Sequence, residues 1–415
     1  MRRMRPQAIA AWCALILAVA SAARAEPVIL DGVPQMGWLM KQPCQRISAL
    51  ATVLTYLGSP ATYDELMVAS GAAFAIAWLP GRFDYAAIWA CPEDTVVNGA
   101  LAVGAEAERR RFATQEELWT ALCESLDDGR PVIAWHWAGN RIICGYDPDG
   151  MQLYTQPNNN QGGEYQPVDL NSVFTQGPPG GTSDFVFVRF DPATVKPERD
   201  WQAILKRALA FADWPADKPV GGQASFGLAA YDAWIDTLRA GPDEKQLATA
   251  LELTGPVAYV FADARRAAAA LLTEDATLHT SFSEAADHYR TEADDLKRIN
   301  QLLAARNAAE TFGRTNAAWE GLAQQLELAR AEEVQAVDAL RVAYEELWGA
   351  TPPPQSNLDA TQAAGAQIAA DRCRQAQSLK AERRYAEAAE ELAAAIEADP
   401  KSLSLIHISE PTRPY

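Results

Sequence analysis

Apolar residues in the first half of the chain follow two different spacings, and the change between them separates predicted helices from predicted strands. In several segments up to residue 126 they recur every three or four positions, which favours amphipathic helices. Between these segments, Gly71–Trp78 is continuously apolar, as in a buried strand or an extended wall, and Ala105–Phe112 alternates weakly, as in an exposed strand. After Gly129-Arg130 they alternate with polar residues, which favours strands with one buried face. Helices followed by a small antiparallel sheet indicate an α+β domain over residues 26–190.

Three of the predicted helices have defined starts or ends. The first runs from Cys44 to Leu57 and stops at Gly58-Ser59-Pro60, residues that break a helix. Thr62-Tyr63-Asp64-Glu65 and Thr114-Gln115-Glu116-Glu117 are capping boxes, in which a hydroxyl and a carboxylate satisfy the free amides of a first turn. They predict a short helix over 66–69 and an amphipathic helix that ends at residue 126.

Four strands are predicted downstream of these helices. Turn residues at Ala138-Gly139 and at Asp147-Pro148-Asp149-Gly150 separate the first three strands, which makes their order antiparallel. The predicted strands are Pro131–Trp137, Asn140–Tyr146, Met151–Thr155 and Asp184–Phe190.

The second half of the chain has almost wholly helical spacing. Residues 191–200 predict a linker, and residues 201–349 carry long alanine-rich helices typical of an all-α helical domain. The prolines of residues 350–358 predict a second, stiff linker. Residues 359–401 carry closely spaced alanines and end near Asp399-Pro400, a pattern typical of two tightly packed helices.

We expect both ends of the chain to lie outside the folded domains. Residues 1–25 combine arginines, an apolar stretch and Ala23-Arg24-Ala25, which predicts a cleaved signal peptide and export to a bacterial periplasm or the medium. No later segment predicts a membrane span. Residues 402–415 lose the helical spacing and resemble translated sequencing-adapter sequence, so we expect a non-biological tail and a natural chain that continues as a repeat array.

Charge and composition exclude some partners. The formal net charge of −18 would repel a phosphate backbone, so no nucleic-acid partner is predicted. The sequence has neither a glycine-rich phosphate loop after a strand nor a Cys/His set with metal-ligand spacing. We therefore predict no cofactor and no metal.

Cys44 is the candidate nucleophile. It stands at the start of the first helix, where the positive end of the helix dipole favours the thiolate. Removal of residues 1–25 leaves five cysteines, and an odd number leaves at least one thiol unpaired in an oxidising compartment. Cys123 and Cys144 lie within apolar segments, so we predict that they are buried.

The order of these motifs resembles the papain-like fold of the bacteriocin-processing peptidases, and more closely the N-terminal domain family of butirosin biosynthesis protein H. The resemblance covers roughly residues 35–190. It is carried by Cys44 at a helix start and by the segments Leu54–Gly58, Ser70–Phe74, Gly129–Ile133 and Ile142–Asp147. Residues 359–401 resemble a tetratricopeptide repeat, through Ala376, Leu379, Tyr385, Leu392 and Asp399-Pro400. Together the resemblances imply a papain-like domain, an all-α domain and a truncated tetratricopeptide-type hairpin.

The resemblance also implies where a catalytic site would lie. A papain-like site needs a histidine that takes the proton of the thiol and an Asn or Asp that orients the imidazole. Asn140 stands where the histidine is expected, and Gln156 stands where the orienting residue is expected. An amide cannot take this proton, so the site is expected to be degenerate. His136 is the alternative base, and Gln42 or Gln35 is the candidate donor of an oxyanion hole.

Three functions remain open from the sequence. The first is binding of a peptide or aminoacyl-type ligand in an interdomain cleft, with Trp78, Trp135 and Tyr146 as candidate ligand-binding residues in addition to Gln42. The second is an active thiol peptidase or acyltransferase that uses Cys44. The third is a scaffold that recruits a protein partner through the repeat region.

Overall fold

An antiparallel sheet lies at the centre of the N-terminal half. The computed structural model describes residues 26–37, 42–83, 94–136, 139–156, 165–175, 184–196, 198–215, 224–305, 308, 311–312 and 316–350. Its strands are β1 (Val28–Ile29), β2 (Ala77–Trp78), β3 (Glu106–Arg110), β4 (Val132–His136), β5 (Gly139–Asp147), β6 (Gln152–Thr155), β7 (Gln166–Asp169), β8 (Asp184–Arg189) and β9 (Ser225–Phe226). In the described part of the chain seven of them form one sheet, in the order β3-β8-β4-β5-β6-β7 with β1 against β5, while β2 and β9 form a separate ribbon.

The pairing of these strands follows the predicted turns. β4 pairs with β5 through Val132 and Ile143, and β5 pairs with β6 through Tyr146 and Leu153, both antiparallel. β8 pairs with β4 on one side and with β3 on the other. The four predicted strands therefore correspond to β4, β5, β6 and β8, with ends that differ by at most one residue.

Five helices accompany the sheet in the described N-terminal half. They are α1 (Gln45–Tyr56), α2 (Tyr63–Ala69), α3 (Thr95–Ala102), α4 (Gln115–Asp127) and α5 (Leu170–Thr175). The first predicted capping box is confirmed, because the Glu65 N–H donates to Thr62 Oγ1 at 3.2 Å and the Thr62 N–H donates to Glu65 Oε2 at 2.8 Å. At the start of α4 the hydroxyl of Thr114 accepts from the Glu117 N–H in the same way.

The second half is largely helical, as predicted. Its helices are α6 (Trp201–Ala212), α7 (Gly227–Ala240), α8 (Leu247–Glu274), α9 (Thr280–Ala304) and α10 (Asn316–Trp348). His279 meets Glu346 near one end of the α9–α10 pair, and Asp295 meets Gln325 midway along it. These two helices are therefore antiparallel. The prediction of an α+β sheet domain followed by a helical region is confirmed at this level.

Two apolar cores cross the predicted boundary between the sheet domain and the helical region. The first core joins the inner faces of α1 and the sheet to Trp201 and Leu205 of α6 and to Phe282 of α9. The second core surrounds Trp78 of β2 and includes Trp234 of α7. The helical region thus completes both cores.

The segment that the sequence marks as the first linker lies against the sheet domain. Thr194 Oγ1 donates to the carbonyl of Gly104 at 2.7 Å, and Lys196 Nζ donates to the carbonyl of Leu101 at 2.9 Å. Gly104 has a φ of +86°, and a Cβ there would lie 2.1 Å from the Thr194 carbonyl oxygen. Only a glycine accommodates this close approach without a shift of one of the two segments.

Several predictions fall outside the described residues. These are the signal peptide (1–25), the repeat hairpin (359–401) and the tail (402–415), together with nearly all of the second linker. Within the described ranges no helix is both long and apolar enough to cross a bilayer.

Candidate functional site

Cys44 lies immediately before the first turn of α1, as the sequence predicts. Cys44 is half-buried and packs against the first core. Burial raises the pKa of the Cys44 thiol above its ordinary value, although the backbone N–H groups of Ile47 and Arg46 and the charge of Arg46 act in the opposite direction. This direction is opposite to the expected preference for thiolate, because the loss of hydration outweighs the effect of the helix start.

Two residues that the sequence analysis did not single out hold the backbone of Cys44. The Cys44 N–H donates to Tyr63 Oη at 3.1 Å, and the Tyr63 hydroxyl donates to Asp263 Oδ2 at 2.8 Å. Tyr63 is the first residue of α2, whereas Asp263 belongs to α8 of the helical region. A carboxylate from the helical region therefore fixes the start of the helix that carries Cys44.

Asp263, the last residue in this series of hydrogen bonds, also contacts Arg266. Burial raises the pKa of Asp263 above its usual range, although Arg266 and Tyr63 lower it. Arg266 Nε donates to Asp263 Oδ1 at 2.9 Å, and its two terminal nitrogens bond both oxygens of Asp64 at 2.8 and 2.7 Å. Asp263 is thus fixed between α2 and α8 and serves a positioning role.

Of the two candidate oxyanion-hole residues, Gln42 makes hydrogen bonds to other groups. Gln42 Oε1 accepts a hydrogen bond from Ser48 Oγ at 2.8 Å, and the Gln42 N–H donates to the Gly37 carbonyl at 3.0 Å. Gln35 is exposed. The arrangement fixes the loop before α1, and a catalytic role for either glutamine stays a prediction.

The register of β4 and β5 fixes the backbone positions of His136, the candidate base, and of Asn140, where the base is expected. Trp135 pairs with Asn140, and His136 pairs with Gly139. His136 and Asn140 therefore belong to neighbouring cross-strand pairs. The sequence placed the turn at Ala138-Gly139, whereas Gly139 is already part of β5. The side chains of Trp135, His136 and Asn140 lie outside the described residues, and their roles stay predictions.

The other described histidines are engaged at the α9–α10 pair. His279 Nε2 lies 2.8 Å from Glu346 Oε2, and His288 Nδ1 lies 2.7 Å from Glu332 Oε2. Ser281 donates its N–H to His279 Nδ1, so the proton of the neutral ring is on Nε2. Both imidazoles are therefore paired with carboxylates on α10.

Gln156 is buried and ties the end of β6 to the loop after β1. Its N–H donates to the Ile142 carbonyl at 3.0 Å, and its Nε2 donates to the Val33 carbonyl at 2.5 Å. Its Oε1 is buried and has no hydrogen-bond partner among the described residues. Gln156 therefore occupies the position expected for the orienting residue, and its side-chain NH2 group already donates to the Val33 carbonyl.

Two of the candidate ligand-binding aromatic residues have structural partners. Trp78 is 1% exposed, stacks on Trp234 at a ring distance of 4.6 Å and donates from Nε1 to Thr237 Oγ1 at 3.0 Å. The Tyr146 hydroxyl donates to Asp127 Oδ1 at 2.8 Å, which raises the pKa of Tyr146 to about 12. Trp78 therefore presents almost no surface to a ligand in this structure.

The described cysteines are all thiols. Cys144 is buried in the first core, and burial raises its pKa to about 12. Cys123 is half-buried on α4, and partial burial together with the charge of Asp127 raises its pKa to about 11. The prediction of burial is confirmed for Cys144, whereas Cys123 is only half-buried and lies beside Asp127 and Tyr146.

A cleft of about 720 Å³ lies between the sheet domain and the helical region. One wall comes from residues 59–61, α2 and the end of α3, and the other comes from residues 195, 196 and 198–207 and the residues after α8. Leu101, Val195 and Leu278 line it and are 48%, 36% and 51% exposed. Neither Cys44 nor Trp78 is among the lining residues.

Charged groups of both signs line the cleft. Arg199 contacts Asp275 at 2.7 Å and Glu65 at 3.2 Å, and it also pairs with Glu274. Arg207 Nη1 donates to the carbonyl of Ala69 at 2.8 Å. Glu198, Asp200 and Lys196 lie at exposed positions of the same wall. The cleft therefore offers apolar side chains beside carboxylates and cations.

No family model matches the chain, and no curated protein matches it significantly. Among the described residues, no group of three or more His, Cys, Asp or Glu side chains is placed to hold a metal ion.

Proposed function

We propose that this chain is an exported protein of papain-like fold with a degenerate Cys44 site, which binds a peptide or aminoacyl-type ligand in the cleft between its sheet domain and its helical region. The cleft carries this proposal. Its volume of about 720 Å³ falls within the range of small-molecule and peptide sites, and such sites occur preferentially at domain interfaces.

The chemistry of the cleft supports a ligand of this class. A peptide or aminoacyl compound carries an amine, a carboxyl or carbonyl group and apolar side chains. Exposed apolar residues at Leu101 and Leu278 would receive the side chains. Glu198, Asp200 and Lys196 would attract groups of opposite charge. Asp200 also accepts from the Ala203 N–H at 3.0 Å, and Lys196 also donates to the Leu101 carbonyl.

The surroundings of Cys44 support a site without hydrolytic activity. A thiol with a raised pKa is almost wholly protonated at neutral pH, and a thiol is a far weaker nucleophile than a thiolate. Tyr63 and Asp263 hold the backbone of Cys44, and the hydroxyl and carboxylate are already hydrogen-bonded to their own partners. The order of helices and strands is consistent with the papain-like resemblance, which remains part of the proposal.

Binding in the cleft can be tested with a mixture of synthetic tripeptides, equilibrium dialysis and mass spectrometry. We expect a subset of the peptides to be retained by the wild-type protein. Leu278→Asp should weaken retention at least tenfold, because it puts a charge on the apolar wall. Leu302→Asp is the matched control, since Leu302 is 44% exposed on α9 and does not line the cleft. Retention that is absent, or equally affected by both substitutions, would contradict the proposal.

An active thiol peptidase or acyltransferase is the second candidate, favoured by the position of Cys44 at the start of α1 with the amides of Arg46 and Ile47 near the thiol. Iodoacetamide alkylation of Cys44, followed by peptide mapping between pH 6 and 10, separates the two candidates. The degenerate site predicts alkylation slower than that of free cysteine at pH 7. Faster alkylation, together with peptide cleavage that Cys44→Ala abolishes, would establish the enzyme instead.

A further inference from the structure

A fully buried ionic cluster joins the helical region to the sheet domain. Arg265 on α8 is 0% exposed, and its Nε lies 2.8 Å from Glu292 Oε1 on α9 and 2.9 Å from Glu333 Oε2 on α10. Its Nη1 donates to the carbonyl of Ala73 at 2.8 Å, in the loop that leads to β2. One guanidinium therefore connects three helices of the helical region to the sheet domain.

The cluster holds more negative than positive groups. Glu292 and Glu333 are 0% and 1% exposed, and their oxygens share the single hydrogen of Arg265 Nε. The Tyr231 hydroxyl of α7 donates to the same oxygen of Glu292, and the Tyr289 ring lies 5.5 Å from the guanidinium. If both carboxyl groups were ionised, one negative charge would remain buried without a partner, at high energetic cost.

A single proton resolves this imbalance. Burial raises the pKa of Glu292 well above its usual range, and the carboxylate of Glu333 acts in the same direction, against the opposing charge of Arg265. Among the described residues no other cation bonds either carboxyl group, and Glu292 Oε2 has no hydrogen-bond partner.

We propose that the Arg265–Glu292–Glu333 cluster is a proton-dependent latch, which holds the helical region on the Ala73 loop while Glu292 is protonated and loosens when that proton is lost. The latch acts on a defined segment. Phe74, the next residue, packs on the Tyr289 ring at 5.9 Å, and Trp78 of β2 follows four residues later on Trp234. Detachment of Ala73 would therefore loosen the connection between the two cores.

The direction of the pH dependence follows from the two environments of Glu292. In the detached state the carboxyl group is hydrated and its pKa returns to the usual value for glutamate. Above that value detachment releases one proton, so the equilibrium constant for detachment rises about tenfold for each unit of pH while the attached state keeps its proton. The latch is closed at acidic pH and weakens as the pH rises.

Hydrogen exchange of the 71–79 segment, followed by mass spectrometry between pH 5 and 8, tests the latch in the full chain. After correction for the intrinsic exchange rate, we expect the wild-type protein to lose protection by up to tenfold for each pH unit. Glu292→Gln cannot ionise, so its corrected protection should be independent of pH. Glu333→Gln leaves Glu292 alone with Arg265, and its protection should also be independent of pH.

Glu332→Gln is the matched control, because Glu332 precedes Glu333 on the same helix but is partly exposed and pairs with His288. This variant should keep the wild-type pH dependence in the 71–79 segment. A pH dependence that persists in Glu292→Gln or Glu333→Gln would overturn the proposal, as would a wild-type protection that does not change with pH. If one of the two glutamine variants fails to fold, the other still decides between these outcomes.

Discussion

Substitution of Tyr63 by phenylalanine removes one hydroxyl that connects the two halves of the protein at Cys44. This hydroxyl accepts from the Cys44 N–H at 3.1 Å and donates to Asp263 at 2.8 Å. Tyr63 is 7% exposed, so water does not readily replace it. The phenyl ring keeps the packing of the side chain, and the change isolates the two hydrogen bonds.

The expected cost comes from the two groups that lose their partner. An unpaired buried N–H costs about 1–3 kcal/mol, and loss of a hydrogen bond to a charged acceptor costs about 1.5–3 kcal/mol. Asp263 keeps its contact with Arg266 at 2.9 Å, which offsets part of the second term. We therefore expect Tyr63→Phe to lower the free energy of unfolding by about 2–4 kcal/mol. Because the first turn of α1 loses an anchor, the alkylation rate of Cys44 should rise.

A double-mutant cycle, with each variant unfolded in urea, measures the coupling energy between Tyr63 and Asp263. Tyr63→Phe, Asp263→Ala and the double variant should give a coupling energy of about 1–2 kcal/mol, within the range for residues in one hydrogen-bonded network. Tyr259→Phe is the matched control, because Tyr259 lies one turn before Asp263 and no described residue bonds its hydroxyl. A loss below about 0.5 kcal/mol for Tyr63→Phe, or a coupling energy near zero, would refute the positioning role of Asp263.

Three further substitutions test other contacts. Arg265→Met leaves two buried carboxyl groups without their cation and should lower the free energy of unfolding in urea by about 3–5 kcal/mol, whereas a loss below about 1 kcal/mol would contradict the burial argument. Gly104→Ala would place a Cβ 2.1 Å from the Thr194 carbonyl. It should lower the melting temperature more than Gly81→Ala, which has φ +68° and open space around it; equal losses would refute the close approach. Trp78→Phe should cost about 1–3 kcal/mol and alter the near-ultraviolet circular dichroism; an unchanged spectrum would contradict the stacked pair.

Local signals predicted most of the sheet domain. The capping box at Thr62 uses a pattern of four residues, and both of its hydrogen bonds form. The stop after α1 follows from Gly58, which has a φ of +87° that other residues rarely adopt. The strand over 166–169 was missed because Pro167 argues against a strand and the segment lies at the edge of the sheet.

The contacts around the candidate site could not be predicted from local pattern. Tyr63 and Asp263 are 200 residues apart, and neither has a sequence environment that signals a contact with Cys44. Trp78 and Thr237 are hydrogen-bonded although they are 159 residues apart in the sequence. Trp78, a candidate ligand-binding residue, is therefore a buried residue of the second core. The direction of the Cys44 pKa also depends on burial by the whole fold, which a helix start alone does not reveal.

The shared cores have a consequence for how this protein can be divided. Residues from α6, α8, α9 and α10 complete the apolar surface of the sheet domain, so a fragment that stops at residue 190 would expose that surface to water. Such a fragment should aggregate when produced alone and should become soluble when residues 191–350 are co-expressed with it. Heating of the intact chain should give one calorimetric transition rather than two, since neither half retains a complete interior without the other. The two halves are therefore not interchangeable modules, and exchange of either one between proteins would require a partner with a matching inner face.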